Sequence, residues 1–497
     1  MNSLYEIYRK EMSKIADVGH AIAVLQWDKE VYLPKGSATF RSQQIATLSS
    51  IAHELFTSDS FSDLLNKLSV DDSLSEEQSR NIALTKRDHE KSTKFTTEFI
   101  VKKSQTISTC FQAWLSAREK NDHTIYLAPL TELMKIVREE AEILGYEGHP
   151  YDALLDYYEP MLTVEKLEAL FTPLKQELKT ILHKISSRPQ VDNSILHKHY
   201  DKDEQWKFGI EVLRNMGYNF DMGRQDIAAH PFTTSFSSQD VRVTTRIDEN
   251  DLGNMTWSCI HEGGHALYEQ GLDSKNYGLP LGKYISLGIH ESQSRLWENN
   301  VGRSKTYWSH MLITLKEHFP NQLTDFSLQD FYKAINKVAP NLIRTEADEL
   351  HYHLHVIIRY EIEKELMEKT LEIKDIKSAW NTKYKDYLGV DVPDDNNGFL
   401  QDVHWAHGSI GYFPTYSIGS LYAAQFFDEA SKEITDLDKQ IGNGDNAPLL
   451  EWLREHIHKH GQFYDAEDLC KKITGEGLNA KYFIDYVSDK YAEIYGF

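Results

Sequence analysis

The stretch that decides the fold runs from Asn254 to Leu272 and reads NMTWSCIHEGGHALYEQGL. It holds no proline, and its apolar residues recur near the helical period, so it predicts a helix over residues 254–272. On a helix, residues i and i+4 lie about 6 Å apart on one face, so His261 and His265 can bind one metal ion. Two neutral imidazoles suit zinc, and Glu262 between them suits a general base for the attacking water.

Two glycines, Gly263 and Gly264, lie inside this helix. Each costs a helix interior about 1 kcal/mol relative to alanine. We therefore expect another backbone or a substrate to pack closely against them. A solvated face that carries two unrelated histidines is the alternative, and it would leave the glycines unexplained.

A catalytic zinc site has three protein ligands and one open position, so a third ligand must lie elsewhere. The metzincin pattern would place glycine and histidine three and six residues after His265, but those positions hold Tyr268 and Gly271. That pattern is excluded. Glu269 is also excluded, because it lies about 6 Å farther along the same helix.

A second helix is predicted within Tyr284–Gly302, YISLGIHESQSRLWENNVG, after a loop that contains glycine and proline. Glu291 and Glu298 lie at i and i+7 on one face of it, so either carboxylate can complete the metal site. The residues alone leave the choice open, with a preference for Glu291.

Composition limits the classes of function. A chain of 497 residues with 40% hydrophobic residues can bury a large core, as two domains or as one large helical body. The net charge of -22 disfavours nucleic acid as a partner, since phosphate binding requires excess lysine and arginine. The charged N-terminal region and the lack of a long apolar run lead us to expect a cytoplasmic protein without membrane association. The scattered cysteines, Cys110, Cys259 and Cys470, are typical of reduced thiols.

Helical periodicity dominates and predicts a mainly α fold. The predicted helices cover residues 3–30, 40–56, 77–120, 127–145, 163–187, 203–216, 254–272, 304–318, 328–338, 343–370, 374–387 and 415–434. Alternation in Phe232–Ile247, FTTSFSSQDVRVTTRI, predicts a β-hairpin that leads into the metal-binding helix. Because no shift in composition divides the chain, we expect one unit over 1–497, with a mostly helical half at 1–225, a catalytic region at 226–420 and a helical C-terminal segment at 421–497.

Two other histidine clusters are weaker candidates for a metal site. His351, His353 and His355 alternate, and on a helix only the first and last share a face, so we expect them to be surface or core residues. The run His456–His460 is interpreted as a solvated helix face.

Short polar strings in apolar surroundings add information through their order. They are HPF (His230–Phe232), DVRVT (Asp240–Thr244), IRTEADE (Ile343–Glu349) and GFLQDVHWAHGSIGYFPTY (Gly398–Tyr416). Each alone is weak, and Arg344 could simply pair with Asp348 at i+4 on a helix.

Together with HEGGH and HESQ, these strings resemble the carboxypeptidase Taq family of metallocarboxypeptidases, whose motifs HPF, DxRxT, HExxH, HESQ, IRTEAD and GxxQDxHW occur here in the same order. The match spans His230–Tyr416 and extends to LQWDKEVYLPKGS (Leu25–Ser37) and YDALLDYYEP (Tyr151–Pro160). One departure is Gly263, where relatives often carry a bulkier residue, and we expect it to affect substrate fit.

The resemblance implies that Glu291 is the third ligand of one zinc ion per subunit. Two histidines and a carboxylate would also suit cobalt. It implies a large helical body of two halves around a deep groove, a small antiparallel sheet beside the zinc helix, and a homodimer. The implied substrates are peptides with a free C-terminus.

Roles for other residues follow from the chemistry of peptide hydrolysis. Besides zinc, the oxyanion needs a second electrophile, for which we choose Tyr412, with His404 and Tyr416 nearby. The terminal carboxylate needs a cation, and Arg344 is the first choice. His230 and Arg242 are further candidates for substrate binding.

Two rival functions share some of these residues. A zinc endopeptidase or oligopeptidase of the helical gluzincin type would share every zinc ligand but would need no cation for the terminal carboxylate. A non-enzymatic zinc protein would need no base at Glu262, so the intact base argues against it.

Overall fold

The computed structural model describes residues 3–497, and helices dominate it. The mainly α prediction is therefore confirmed, and no helix in the described range is both long and apolar enough to cross a membrane. The α-helices are α1 (Ser3–Val31), α2 (Ala38–Phe56), α3 (Asp59–Leu68), α4 (Glu76–Thr93), α5 (Thr97–Lys120), α6 (Thr124–Leu144), α7 (Asp152–Leu155), α8 (Val164–Ser186), α9 (Lys202–Met216), α10 (Leu252–Gly271), α11 (Leu287–Arg295), α12 (Lys305–His318), α13 (Pro320–Leu323), α14 (Leu328–Ile335), α15 (Glu349–Glu368), α16 (Ile376–Leu388), α17 (Pro414–Glu433), α18 (Leu437–Gly442), α19 (Ala447–His456), α20 (Ala466–Thr474) and α21 (Lys481–Tyr495).

The chain forms two compact units, each assembled from three separate segments. Unit 1 comprises Met1–Thr93, Asp192–Ile335 and Tyr422–Leu478. Unit 2 comprises Lys94–Val191, Asn336–Leu421 and Asn479–Phe497. Each unit is therefore built from stretches that are distant in sequence.

Unit 1 contains a small sheet of three strands, β1 (Gln225–Ile227), β2 (Thr233–Ser237) and β3 (Asp240–Thr245), in the order β1-β3-β2. The predicted hairpin is present, since β2 and β3 are antiparallel. The addition of β1 parallel to β3 makes the sheet mixed, whereas we expected it to be antiparallel throughout. A strand of three residues is too short to show a period of two, so the pattern could not predict it.

Helix α10 carries the His-Glu-x-x-His pattern, and the Asp251 side chain caps it by accepting from the first backbone N–H groups. A Cβ at Gly264 would lie 2.7 Å from the Gln293 carbonyl oxygen on α11, so glycine allows the two helices to approach closely. Gly263 instead faces α9, where a Cβ would lie 2.8 Å from Leu213 Cδ2. Gly263 thus packs in the core against α9, and its effect on substrate fit stays a prediction.

Side-chain caps explain two differences between predicted and observed helices. The stretch 77–120 is divided into α4 and α5, because the Thr96 hydroxyl accepts from Phe99 N at 3.2 Å and starts a new helix. The stretch 343–370 starts later than predicted, because the Asp348 carboxylate accepts from Leu350 N at 3.0 Å and caps α15. Asp348 is therefore a capping residue.

Unit 2 contains α15, whose side chains are buried along most of its length. Its three histidines, His351, His353 and His355, are all buried and hydrogen-bonded to other side chains. The prediction that they are core or surface residues is confirmed as core. Helix α15 therefore carries polar groups that each have a specific partner inside the fold.

The C-terminal part of unit 1 differs from expectation at His458. Helix α19 ends at His456, and the His458 ring is fully buried with Nε2 2.9 Å from Gln293 Oε1. The prediction that His456–His460 form a solvated helix face is therefore wrong at His458. Gly271 leaves room for the ring, since a Cβ there would lie 2.4 Å from His458 Nδ1.

Candidate active site

Three potential metal ligands come together in unit 1, where α10 faces α11. Glu291 Oε2 lies 3.4 Å from His265 Nε2 and 3.8 Å from His261 Nε2. Zinc bonds of about 2.0–2.1 Å in a tetrahedron place neighbouring ligand atoms roughly 3.3–3.4 Å apart. The donor set and its spacing therefore fit one zinc-sized ion.

A second group of possible ligands lies in unit 2 and consists of Asp122, His123 and Asp395. Its central carboxylate already has two partners: Lys377 Nζ lies 2.7 Å from Asp395 Oδ1, and His123 Nδ1 lies 2.8 Å from Oδ2. A lysine ammonium at this distance occupies the position of a cation. This group is therefore better described as an ion-pair cluster than as a metal site.

The two glutamates that the sequence left as alternatives lie on different nitrogens of the same imidazole. His261 Nδ1 lies 2.9 Å from Glu298 Oε2, so its Nε2 remains directed at Glu291. Glu298 belongs to a π-helical turn, Leu296–Val301, that follows α11. Such a carboxylate fixes the tautomer and orientation of a ligand histidine. Glu291 is thus the ligand candidate and Glu298 its support.

Arg295 and the imidazoles set the charge of the two glutamates. Burial opposes ionisation, but Arg295 and His261 outweigh it, holding the pKa of Glu291 well below its usual range and lowering that of Glu298 to about 2. Burial lowers the pKa of His265 to about 3. Against burial, Glu291 and Glu298 raise the pKa of His261. An ionised carboxylate and a neutral imidazole are the forms that bind metal.

Glu262 is held by the neighbouring sheet. Thr233, on β2, donates its hydroxyl to Glu262 Oε2 at 2.6 Å. Burial raises the pKa of Glu262, which moves it toward the range in which a carboxyl group can both accept and donate a proton. The predicted hairpin therefore orients the candidate base.

His290 and Glu269 pack beside His265, the second histidine of the motif. The His290 ring stacks on His265 with centroids 4.4 Å apart, and its Nε2 lies 2.9 Å from Glu269 Oε1. Glu269 is thus paired with His290, in agreement with its exclusion as a ligand.

Arg344 lies in unit 2, in a 3₁₀ turn, and is buried. Its Nη2 lies 2.9 Å from Asp402 Oδ1, and Arg359 Nε lies 2.6 Å from Asp402 Oδ2. The pairing with Asp348 considered from the sequence is therefore replaced by one with Asp402. One carboxylate thus accepts from two guanidinium groups.

The three aromatic candidates lie beside Arg344. The Tyr412 ring is 5.3 Å from both His404 and Tyr416, and His404 Nε2 lies 3.2 Å from the Tyr416 hydroxyl. The Arg344 guanidinium lies 4.9 Å from the Tyr416 ring centroid. Burial lowers the pKa of His404 to about 3, so this imidazole is neutral at pH 7. The structure thus brings together four residues from two distant sequence strings.

His230 and Arg242 lie in unit 1 and have different environments. His230 is exposed in the loop before β2. The Arg242 guanidinium lies 4.4 Å from the Trp27 ring centroid and pairs with Asp240 at 2.9 Å. Arg242 therefore already has contacts within the fold.

Two supporting side chains were not identified from the sequence, Thr233 and Arg359. Thr233 is one of several threonines in the hairpin, and nothing in the pattern separates it from the others. Arg359 did carry a signal, because it is a charged residue within an apolar stretch of α15 and such a residue requires a partner.

Comparisons with known proteins identify the family of this chain. The model of a family described as carboxypeptidase Taq (M32) metallopeptidase matches residues 7–491. Carboxypeptidase 1 of Bacillus subtilis is 39% identical over 494 residues, which is 98% of this chain and 99% of that protein. The M32 carboxypeptidase structure from Deinococcus radiodurans is 36% identical, with a TM-score of 0.98 and 100% of both chains covered. A structure described as "The Structure of CHT" is 53% identical, with a TM-score of 0.97 over 98% of this chain and 99% of that one. The chain therefore belongs to the carboxypeptidase Taq (M32) family of metallopeptidases.

Proposed function

We propose that this protein is a zinc-dependent metallocarboxypeptidase that removes the last residue from peptides. The observation that carries the proposal is that possible metal-ligand atoms of His261, His265 and Glu291 lie within 4.8 Å of one another. Glu262 lies between the two histidines in sequence, and Thr233 holds its carboxylate. A non-enzymatic metal site would need no such base.

The chain's own residues supply the proton transfers. A divalent metal at these ligands supplies a Lewis acid for the attacking water and the peptide carbonyl, and zinc or cobalt would suit two imidazoles and a carboxylate. Glu262 accepts the proton of the attacking water and then gives it to the leaving amine. Its raised pKa favours the first step, because a more basic carboxylate accepts a proton more readily.

Arg344 is the proposed partner of the terminal carboxylate. Arg344 and Arg359 share the carboxylate of Asp402, and Arg359 also faces Glu363, so a bound anion would complete the charge pairing of Arg344. An amide at the peptide end would lack that charge. This electrostatic demand favours a carboxypeptidase over an endopeptidase.

We assign to Tyr412 the donation of a hydrogen bond to the developing oxyanion, with His404 and Tyr416 packed against its ring. His230 and Arg242 stay candidates for contacts with the substrate. Arg242 is the weaker of the two, since its guanidinium is already paired.

Peptide products distinguish the two hydrolytic functions. Metal-loaded and chelated protein is incubated with N-terminally blocked peptides whose C-termini are free or amidated, and the products are weighed over time. Stepwise shortening of free peptides alone supports the carboxypeptidase, and internal fragments from both peptides would show an endopeptidase.

The Glu262→Gln variant provides the matched control for this experiment. It should bind stoichiometric metal but lose at least about 10²-fold in turnover, the scale of a general base. Near wild-type turnover in the variant would remove Glu262 from the mechanism.

Assembly, location and organisation stay predictions. We propose a cytoplasmic homodimer in which residues 1–497 act as one catalytic unit. Sedimentation equilibrium at several protein concentrations measures the oligomeric state directly, and a monomer at every concentration would contradict the homodimer.

A further inference from the structure

The segment that carries Tyr412 is attached to a buried carboxyl group on α15. Glu363 is fully buried and accepts from Trp405 Nε1 at 2.7 Å and from the Gly411 backbone N–H at 2.9 Å. The Tyr151 hydroxyl donates to the same carboxyl group. We call residues Trp405–Tyr412 the Tyr412 loop. Glu363 thus holds this loop near both of its ends.

The loop has little freedom at the residue before Tyr412. Gly411 has a φ of 99°, and a Cβ there would lie 3.1 Å from the Leu154 backbone. On the same side, the Tyr158 ring packs against Tyr412 with centroids 5.2 Å apart. Glu363 accepts from the Gly411 N–H, and Tyr412 is the next residue along the chain. A shift of Gly411 would therefore move Tyr412 relative to the Tyr158 ring that it packs against.

We propose that Glu363 is a positioning residue that holds Tyr412 in place through the Gly411 N–H, and that it does so as an ionised carboxylate. Three donors converge on this one group, and Trp405 Nε1 and the Gly411 N–H have no acceptor function. A proton on Oε2 would require the Tyr151 hydroxyl to turn and accept it, and a protonated oxygen is a weaker acceptor for the Gly411 N–H than a carboxylate oxygen is. The inference rests on the catalytic role proposed for Tyr412.

Burial and the surrounding donors have opposite effects on the ionisation of Glu363. Burial raises the pKa of Glu363 to about 7, against the hydrogen bonds of Tyr151, Gly411 and Trp405 and the charge of Arg359, which lower it. The titratable or charged groups that face it are Tyr151 and Tyr158 from the α7 region and Arg359 from α15 itself. The hold on Gly411 therefore weakens as the pH falls through about 7.

Hydrogen exchange of the backbone amides tests the hold without reference to activity. In the metal-loaded enzyme, a peptide over residues 405–413 should lose protection below about pH 7 after correction for intrinsic exchange rates. In Glu363→Gln one of the two acceptor oxygens is replaced by an amide nitrogen, so either Trp405 Nε1 or the Gly411 N–H loses its acceptor, and protection should be low and independent of pH. Unchanged protection in this variant overturns the inference.

Tyrosine variants keep the test independent of the folding of Glu363→Gln. Tyr151→Phe removes a donor that stabilises the carboxylate, so the protection midpoint should move up by about one pH unit. Tyr360→Phe is the matched control, because the Tyr360 hydroxyl donates to Glu168 at 3.0 Å. Equal midpoints in the wild type and Tyr151→Phe would refute the role of the carboxylate.

Turnover at pH 8 separates this inference from the role of Tyr412. If both hold, Glu363→Gln should lose about 10-fold or more in kcat with little change in KM, since misplacing a catalytic group affects the chemical step. Tyr412→Phe should lose a similar factor. If exchange responds in Glu363→Gln and neither variant changes kcat, Glu363 does hold the loop and the role of Tyr412 is refuted.

Discussion

The close approach of α10 and α11 at Gly264 offers a direct test of how the fold builds the metal site. Gly264→Ala would place a Cβ 2.7 Å from both the Gln293 carbonyl oxygen and Ser294 Cα, which are backbone atoms of the helix that carries Glu291. Ordinary contacts lie at about 3.5 Å or more, so the helices must separate by roughly 0.8 Å. Gly263→Ala is the matched control, because its Cβ would meet the ends of flexible side chains on α9.

The two substitutions gain the same helix propensity, about 1 kcal/mol each. Their difference in unfolding free energy therefore isolates the cost of parting two backbones, about 1–3 kcal/mol for overpacking of this kind. Because Glu291 lies on α11, it is displaced when the two helices separate. Because metal–ligand distances tolerate only about ±0.2 Å, a displacement of this size should weaken metal binding by about 10-fold or more in Gly264→Ala.

Urea unfolding of the chelated proteins gives the free energies, and competition with a chromophoric chelator gives the metal affinities. Gly263→Ala should keep both values close to those of the wild type. If Gly264→Ala binds metal as tightly as Gly263→Ala and unfolds at the same urea concentration, then the close backbone approach does not position Glu291.

Two further substitutions test the supporting charges. Glu298→Gln weakens the acceptor at His261 Nδ1, so metal affinity should fall about 10–100-fold with the fold retained; equal affinity in chelator competition would dismiss this support. Asp402→Asn removes the carboxylate that both buried guanidinium groups, Arg344 and Arg359, contact, which should cost about 3–5 kcal/mol of unfolding free energy at pH 7. The two arginines hold the pKa of Asp402 well below its usual range. The stabilisation that the ionised carboxylate provides is therefore present above about pH 4 and is lost as the pH falls. The unfolding free energies of the wild type and Asp402→Asn should thus converge in acid. A constant difference between them from pH 7 to pH 3 would contradict that assignment.

Local periodicity predicted the helices well, and their ends less well. The helix class and the hairpin follow from patterns that each element carries within itself. The division of 77–120 depended on one threonine, Thr96, whose side chain accepts from a backbone N–H three residues later. Threonine occurs at many positions that start no helix, so such a cap is recognised only when the backbone is known.

The candidate for the third metal ligand shows how far residue spacing alone can predict the site. Glu291 and Glu298 share a face, and both reach His261, one toward Nε2 and one at Nδ1. Spacing placed both carboxylates correctly, but it could not decide which nitrogen each would meet. That depends on the distance between α10 and α11, which is set by glycine packing at Gly264 and by no periodic signal.

Charged residues inside apolar stretches carry more information than periodicity uses. In helix α15, Arg359 follows the apolar run of residues 356–358 and is fully buried, as is Glu363, and a buried charge must have partners. The partners are Asp402 for the first and the Tyr412 loop for the second. The apolar run before Arg359 therefore indicates that α15 binds polar groups from elsewhere in the chain, whereas Glu363, between Glu361 and Lys364, carries no such signal. The identity of these groups requires the structure, because pairs of residues more than forty positions apart leave no trace in local patterns.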